Sequence, residues 1–251
     1  MTTPPAQKDP IGMRRRALSR LAAFARLSED DIERLADIAG TPVVLEKGME
    51  IRREDDSPAC LHLLLSGWAA SAHTLASGSR QLTSVSLPGD ILGLPTLAIA
   101  VPLDTVIALT EVIVCHIPIL EFTSLFEKSP RLAFLLFLVS QEERSLAMER
   151  LALMGGARAK TRVAALFVRL SERNAQLGED RTTGFFMPLT QKEIADLAGM
   201  SPVHTNKVIQ SLRHEGVLRL NGKRLDILDY AKLCDIAQIM PWERAEPTWL
   251  P

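Results

Sequence analysis

The stretch from Leu189 to Leu228 constrains the fold more than any other part of this 251-residue chain. Thr190 and Glu193 are spaced as in a capping box, in which each side chain caps the backbone of the other at the start of a helix. Gly199 suits the left-handed position that ends such a helix. Ser201-Pro202 then suits the cap and first position of a second helix. Two short helices joined by a tight turn are therefore predicted.

A hairpin follows the second predicted helix, because Asn221-Gly222 favours a two-residue β-turn. Helix, turn, helix and hairpin in this order predict a winged helix-turn-helix, which places its second helix in the major groove of DNA. A helical hairpin without a ligand is the alternative, but cations surround the proposed groove face. The predicted DNA-binding residues lie on the exposed face of the second helix and at the flanks of the motif: Thr190, Gln191, Lys192, Ser201, Pro202, Val203, His204, Asn206, Lys207, Gln210, Arg213 and Lys223.

The distribution of charge agrees with an anion-binding C-terminal part. The net charge of the chain is −1, yet residues 1–154 carry 15 basic and 19 acidic side chains, whereas residues 155–251 carry 14 and 11. Such a contrast between halves favours a nucleic-acid partner for the second half. The sequence contains no evident nucleophile–base constellation, phosphate-cradling glycine loop or His-Glu-x-x-His spacing, so we do not expect an enzyme.

The N-terminal half of the sequence predicts a different type of secondary structure. Residues 41–118 consist of short apolar or alternating runs separated by glycines, which predicts an antiparallel β domain. Residues 14–40 have helical spacing, with Ser28 as a cap before three acidic residues. Residues 1–13 contain three prolines and are predicted to be a flexible leader without the features of a signal peptide.

A long helix is predicted to begin at Ser129-Pro130 and to end at Gly155-Gly156. Its apolar residues recur every seven positions, a spacing typical of the contact line of a parallel two-stranded coiled coil. A helix packed against its own domain is the alternative. The residues predicted to form a dimer interface are Leu132, Leu135, Val139, Leu146 and Leu153.

Several of these features together resemble the Crp–Fnr superfamily of bacterial transcription regulators. They are Pro88-Gly89-Asp90 followed by Gly93, the long helix, the segment KTRVAALFVRL and the winged motif. The resemblance covers nearly the whole chain. It implies a cyclic-nucleotide-binding-like β-roll, a homodimer paired along residues 130–154, a palindromic double-stranded DNA operator and RNA polymerase as a further partner.

This sequence departs from the members of the family that bind known effectors. Members that bind cyclic AMP carry Gly-Glu and then Arg-Ser or Arg-Thr, where this chain has Gly93-Leu94 and Asp104-Thr105. A carboxylate there would repel a cyclic phosphate, and residues 81–127 contain no Lys or Arg. Iron–sulfur members need N-terminal cysteines, and this chain has none before Cys60. We therefore expect no control by cyclic AMP or by such a cluster, and no cofactor is predicted.

The recognition helix departs as well. Many relatives carry a Glu near its start and an Arg four residues later, where this chain has Val203 and Lys207. Without the carboxylate an acceptor for cytosine N4 is lost, while Lys207 can still donate to guanine. His204 and Asn206 can supply other polar contacts, so the operator is expected to differ from those of such relatives.

The alternative function is a small-molecule sensor that acts on a protein partner through a degenerate DNA-binding domain.

The predicted fold class is α+β, with an N-terminal antiparallel β-roll, a long dimerisation helix and a C-terminal winged helix-turn-helix. The predicted segments are a leader (1–13), a β-roll domain with N-terminal helices (14–128), a dimerisation helix (129–155), a DNA-binding domain (156–240) and a tail (241–251).

Three cysteines, at 60, 115 and 234, are too few for a disulfide framework or a four-thiolate metal site and suit a reducing cytoplasm. Cys115 and His116 are neighbours on a predicted strand and should face opposite ways, so no metal site is predicted there.

Overall fold

The computed structural model describes residues 18–54, 60–99, 101–102 and 104–242. The predicted leader, the first residues of the helical segment that follows it and the tail from residue 243 onwards lie outside the described residues. The described chain packs as two compact units, residues 18–69 with 86–135 and residues 70–85 with 136–242. Its class is α+β, and its strand pairs are antiparallel, as the sequence predicts.

Most strands lie in the first part of the described chain, and most helices lie in the second part. The helices are α1 (Ser19–Ala22), α2 (Glu29–Ile38), α3 (Ile119–Lys128), α4 (Pro130–Gly156), α5 (Ala159–Ala175), α6 (Gln191–Ala198), α7 (Pro202–His214) and α8 (Tyr230–Ala237), with a 3-10 helix at Leu94–Ala98. The strands are β1 (Pro42–Leu45), β2 (Glu50–Arg52), β3 (Cys60–Ser66), β4 (Ala69–Thr74), β5 (Arg80–Ser86), β6 (Ile91–Leu92), β7 (Thr105–Ala108), β8 (Val112–Pro118), β9 (Gly184–Phe186), β10 (Leu218–Asn221) and β11 (Arg224–Ile227).

The first unit is built on β-strands. One sheet has the order β1-β8-β3-β6, and β2 pairs separately with β7. Apolar side chains from these strands, together with Ala69, form its core, which also contains Ile51, Leu64, Leu92, Val106, Ala108, Val112 and Val114. Burial of this apolar surface is what stabilises short strands that would be marginal alone.

Two local interactions stabilise turns of the first unit, and the first of them, the Ser28 cap, is predicted from the sequence. The backbone N–H of Asp31 donates to Ser28 Oγ at 3.1 Å, and the N–H of Ser28 donates to Asp31 Oδ2 at 2.9 Å, so a reciprocal capping box begins α2. In the Pro88-Gly89-Asp90 turn, Asp90 Oδ2 accepts the N–H of Leu87 at 2.9 Å, and Asp90 also pairs with buried Arg20. The aspartate of this turn therefore has a structural role.

The second unit contains the β4–β5 strand pair, most of α4 and all elements from α5 onwards. Helix α5 is its centre, because α6, α7 and α8 all pack against it. Phe167 on α5 and Phe185 on β9 are fully buried in this unit. A three-stranded sheet of order β10-β11-β9 completes it, of which the sequence predicts the β10–β11 hairpin but not β9.

Helix α4 runs from Pro130 to Gly156, close to the predicted bounds. Over the described parts of the chain, every helix is too short or too polar to cross a membrane.

Candidate nucleic-acid interface

The N-terminus of α6 is held by the predicted capping box. The N–H of Glu193 donates to Thr190 Oγ1 at 3.2 Å, and the N–H of Thr190 donates to Glu193 Oε2 at 2.6 Å. Gln191 and Lys192 lie in the first turn, and both are exposed. The positive end of the α6 dipole and a lysine are therefore presented together at the surface, an arrangement that favours phosphate.

A tight turn sets the angle between α6 and α7. Gly199 ends α6 with φ +63° and ψ +48°, a left-handed conformation that a side chain disfavours. Ser201 then caps α7 by accepting the N–H of His204 at 3.3 Å, and Pro202 takes the first position. Gly199, Ser201 and Pro202 therefore have the roles in the turn that the sequence predicts.

Helix α7 has one buried and one exposed face. Thr205, Val208, Ile209 and Leu212 are buried and attach the helix to its unit. The predicted DNA-binding residues of α7 lie opposite: Val203 is 70% exposed, Asn206 is half-buried, and the others are exposed, namely Pro202, His204, Lys207, Gln210 and Arg213.

The beginning of α6 lies beside this exposed face of α7. Gln191 Nε2 donates to Asn206 Oδ1 at 3.4 Å, which joins the two helices across the turn. Arg213 is directed along α7 by a contact to Gln210 Oε1, also at 3.4 Å. The start of α6 and the exposed face of α7 therefore adjoin, which brings together several of the groups predicted to contact bases and phosphates.

The wing differs by one residue from the prediction. Asn221 pairs with Arg224, so the two turn residues are Gly222 and Lys223, not Asn221-Gly222. A glycine at the first turn position, here with φ +58°, is typical of this class of hairpin loop. The change leaves Lys223 exposed at the tip, and its carbonyl accepts the N–H of Met187 at 2.7 Å.

The acidic residues close to these cations are mostly paired. Arg224 Nε donates to Asp226 Oδ1 at 2.8 Å, so the positive charge of this arginine is partly neutralised by a neighbouring carboxylate. Glu215, just beyond α7, is bound by Lys160 Nζ at 2.5 Å, which lowers the pKa of the Glu215 carboxyl. Lys207 and Lys223 remain as exposed cations at the groove face and the wing.

In the first unit, the carboxylate of Asp104 contacts a buried arginine. Arg52 is 5% exposed, pairs with the carboxylate of Asp104 and donates to Thr96 Oγ1 at 2.8 Å. The expectation that no cation lies near Asp104 is therefore wrong. Arg52 stands outside the cation-free stretch 81–127 in the sequence, and the fold brings it to Asp104 because β2 pairs with β7.

Cys115 and His116 are placed as the predicted strand indicates. Cys115 is fully buried while His116 is exposed, so these neighbours face opposite sides of β8. Cys234 on α8 is half-buried, and burial raises the pKa of its thiol. This thiol is therefore mostly protonated at neutral pH and a poor nucleophile.

The predicted dimer residues of α4 occupy two environments. Leu132, Leu135 and Val139 are 0%, 0% and 5% exposed in the single chain, so they offer almost no surface to a second copy. Leu146 and Leu153 are half-buried. A different line is open: Phe137, Met148 and Leu151 are 51%, 54% and 64% exposed, and Arg144 is exposed between them. We refer to Phe137, Arg144, Met148 and Leu151 as the exposed α4 stripe.

A β domain, a long helix and an exposed, cation-bearing recognition helix define a DNA-binding regulator. Two family models match the chain, the Cyclic nucleotide-binding domain over residues 42–129 and the Crp-like helix-turn-helix domain over residues 161–236. The chain belongs to the Crp–Fnr superfamily, and it is a Crp/Fnr-type transcription regulator with a helix-turn-helix DNA-binding domain.

Individual relatives agree with this assignment. The chain is 29% identical to the transcriptional activator protein FnrL of Cereibacter sphaeroides over 178 residues, which are 69% of this chain and 71% of the relative. It is 25% identical to the fumarate and nitrate reduction regulatory protein of Vibrio cholerae over 89% of each chain. Among solved structures, FixK2 from Bradyrhizobium japonicum has the same fold, with a TM-score of 0.70 at 20% identity over 79% of this chain and 97% of that one.

Proposed function

We propose that the protein is a homodimer that reads a palindromic operator with α7. The observation that carries this proposal is the division of α7 into two faces. Val208, Ile209 and Leu212 attach the helix, while Val203 and Lys207 are presented one turn apart on the surface. A rigid helix with exposed side chains at this spacing can place them against base edges in the major groove.

The exposed groups divide into two roles. Lys207 points from the middle of the exposed face and is proposed to donate to a guanine edge. Thr190, Ser201 and Lys223 lie at the flanks, where they are proposed to contact phosphates and to set the register without specifying sequence. Gln191 and Asn206, already in contact, are proposed to act as a polar pair near the centre of the interface.

A gel shift on genomic fragments tests this division. Lys207→Ala should weaken operator binding by roughly 1–3 kcal/mol, as expected for a lost base contact, and relax the preference at one base pair per half-site. Lys47→Ala is the matched control, since Lys47 is an exposed lysine of the first unit and is not part of the helix-turn-helix. If Lys207→Ala and Lys47→Ala bind the operator with the same affinity as each other, and also bind random DNA with the same affinity as each other, the role of α7 is contradicted. Absence of any DNA binding would favour a sensor that acts through a protein partner.

The proposed dimer uses the exposed α4 stripe in place of the line predicted from the sequence. Phe137, Arg144 and Leu151 recur every seven residues, and Met148 lies between the last two, so the stripe retains the coiled-coil period. Three large apolar side chains that are half or more exposed along one helix are typical of an interface. A two-fold dimer would also match the symmetry of a palindromic operator.

We propose that cyclic AMP and cyclic GMP are not the effectors. Asp104 stands where nucleotide-binding relatives carry an arginine, and its carboxylate is held by Arg52, whose guanidinium also binds Thr96. The Arg52 guanidinium is thus committed to protein groups, and replacing them by a phosphate would leave Asp104 uncompensated. Calorimetry should detect neither nucleotide at micromolar concentration, and micromolar affinity for either would contradict the proposal.

An iron–sulfur cluster of the N-terminal type is not proposed, because the chain has no cysteine before Cys60. RNA polymerase is proposed as a further partner on the strength of the transcriptional activators among the relatives. We propose no enzymatic activity, and we propose that the protein acts in the cytoplasm, where its DNA target lies.

A further inference from the structure

Three metal-ligating side chains meet on one face of the β1-β8-β3-β6 sheet. Cys60 and His62 are two residues apart on β3, and side chains at that spacing share a face. His116 lies directly opposite His62 in the antiparallel pairing of β3 with β8. The ligand atoms of these three residues all lie within 4.8 Å of one another.

The distances are close to those of a tetrahedral metal site. Cys60 Sγ lies 3.9 Å from His62 Nε2 and 4.0 Å from His116 Nδ1. A zinc ion bonded to sulfur at about 2.3 Å and to nitrogen at about 2.0 Å holds these atoms roughly 3.5 Å apart. The two sulfur–nitrogen distances therefore need to shorten by about half an ångström, and rotation of the partly exposed Cys60 and His116 side chains can supply that change.

The three residues differ in burial, from His62 inside the sheet to His116 at the surface. His62 is 4% exposed, Cys60 is half-buried, and His116 is exposed. The two histidine rings are 4.6 Å apart between centroids and inclined at 64°, so they do not stack face to face. The inner ligand is held by the sheet, and the outer side leaves room for a fourth ligand from solvent.

The donor set selects the class of metal. One thiolate and two imidazoles suit zinc and copper, whereas magnesium and calcium prefer oxygen ligands. Cys115 is excluded from the set, because it is fully buried and its neighbour His116 takes the opposite face of β8. The arrangement joins His62 and His116, which are 54 positions apart in the sequence and meet only because β3 pairs with β8.

We propose that Cys60, His62 and His116 bind one zinc-class cation per chain, with a fourth position open to solvent or to a small ligand. None of its three residues is among the proposed DNA-binding residues, so the site does not depend on the proposed function. It gives the first unit a ligand-binding chemistry that differs from that of a cyclic nucleotide.

The test uses the purified full chain after treatment with a chelator. Titration with Zn²⁺ against a competing chromophoric chelator should show one equivalent bound per chain. Co²⁺ in place of zinc should produce a thiolate-to-metal charge-transfer band and the intense visible bands of a four-coordinate ion. Cys60→Ser and His116→Ala should each weaken Zn²⁺ binding by about 100-fold or more, since loss of an outer-shell partner alone costs roughly 10- to 100-fold.

Matched controls separate this site from other ligands in the chain. Cys234→Ala and His73→Ala remove a half-buried thiol and a half-buried histidine outside the cluster, and both should bind Zn²⁺ like the wild type. Alkylation of the unaltered protein should be slowed by Zn²⁺ at Cys60 and not at Cys234, which requires no variant to fold. Unchanged Zn²⁺ affinity in Cys60→Ser and His116→Ala, or a Co²⁺ complex without the thiolate band, would overturn the proposal.

Discussion

Replacement of Leu151 by alanine measures the contribution of the exposed α4 stripe to the dimer. Leu151 is 64% exposed in the single chain. Fully burying a leucine contributes roughly 2 kcal/mol, so covering the exposed share contributes about 1.3 kcal/mol per copy. Two copies meet across a two-fold axis, which gives about 2.5 kcal/mol per dimer and a dimer dissociation constant raised about 50- to 100-fold.

Analytical ultracentrifugation over a range of protein concentrations provides the dissociation constant. Leu120→Ala is the matched control, because Leu120 is 82% exposed on α3 and lies outside the stripe. Val139→Ala tests the line predicted from sequence: Val139 is 5% exposed, so its loss should lower the melting temperature and leave dimerisation unchanged. Equal dissociation constants for Leu151→Ala, Leu120→Ala and the wild type would refute the reasoning, as would a weakened dimer in Val139→Ala at unchanged melting temperature.

Three further predictions concern the wing, the interhelical turn and the single tyrosine. Lys223→Ala should weaken binding to all DNA sequences about equally and reduce the salt slope by about one unit per subunit, which fluorescence anisotropy at several salt concentrations measures; a sequence-dependent loss would contradict it. Gly199→Ala should lower the free energy of unfolding in urea by about 1–2 kcal/mol, because φ is +63° there, and an unchanged value would contradict this. Burial raises the pKa of Tyr230 to about 12, and the chain has one tyrosine, so tyrosinate absorbance should titrate near pH 12 in the folded protein and not near pH 10. Since the folded state keeps this proton longer than the unfolded state, the contribution to stability is present below about pH 10 and is lost between about pH 10 and 12.

The helix-turn-helix was predictable because its signals are local. Each cap joins residues three positions apart, as at Thr190 with Glu193 and at Ser201 with His204, and the structure forms both. The turn at Gly199 likewise depends on one residue whose conformation few others adopt. Such interactions are written into short stretches of sequence, so the motif and its exposed face follow directly from them.

The orientation of α4 was not predictable from its pattern. Its N-terminal part, LAFLLFLV, is apolar on all sides, so a contact line along the helix can begin at Leu132 or at Phe137. Only burial distinguishes them: Leu132 is 0% exposed and Phe137 is 51% exposed. A sequence period identifies a helix with several apolar faces but does not say which face its own chain covers.

Long-range pairs were missed for a related reason. Arg52 meets Asp104 and Cys60 meets His116 because strands far apart in sequence are paired, and neither pair has a local signal. The third strand of the wing sheet, Gly184–Phe186, has three residues and no room for an alternating pattern. The Gly222-Lys223 turn could have been found, since glycine followed by another residue is also a recognised hairpin loop.

The central claim is that the exposed face of α7 reads base pairs in a two-fold symmetric operator. Selection from random double-stranded DNA, performed in parallel with the wild type and with Val203→Glu, tests it most directly. Val203 is 70% exposed at the start of α7, so the new carboxylate would be placed where it can accept from cytosine N4. We predict that both proteins enrich palindromes and that Val203→Glu shifts one position of each half-site towards a base pair that offers a cytosine donor. Enrichment of the same half-site by both proteins, or of sites without two-fold symmetry, would contradict the account.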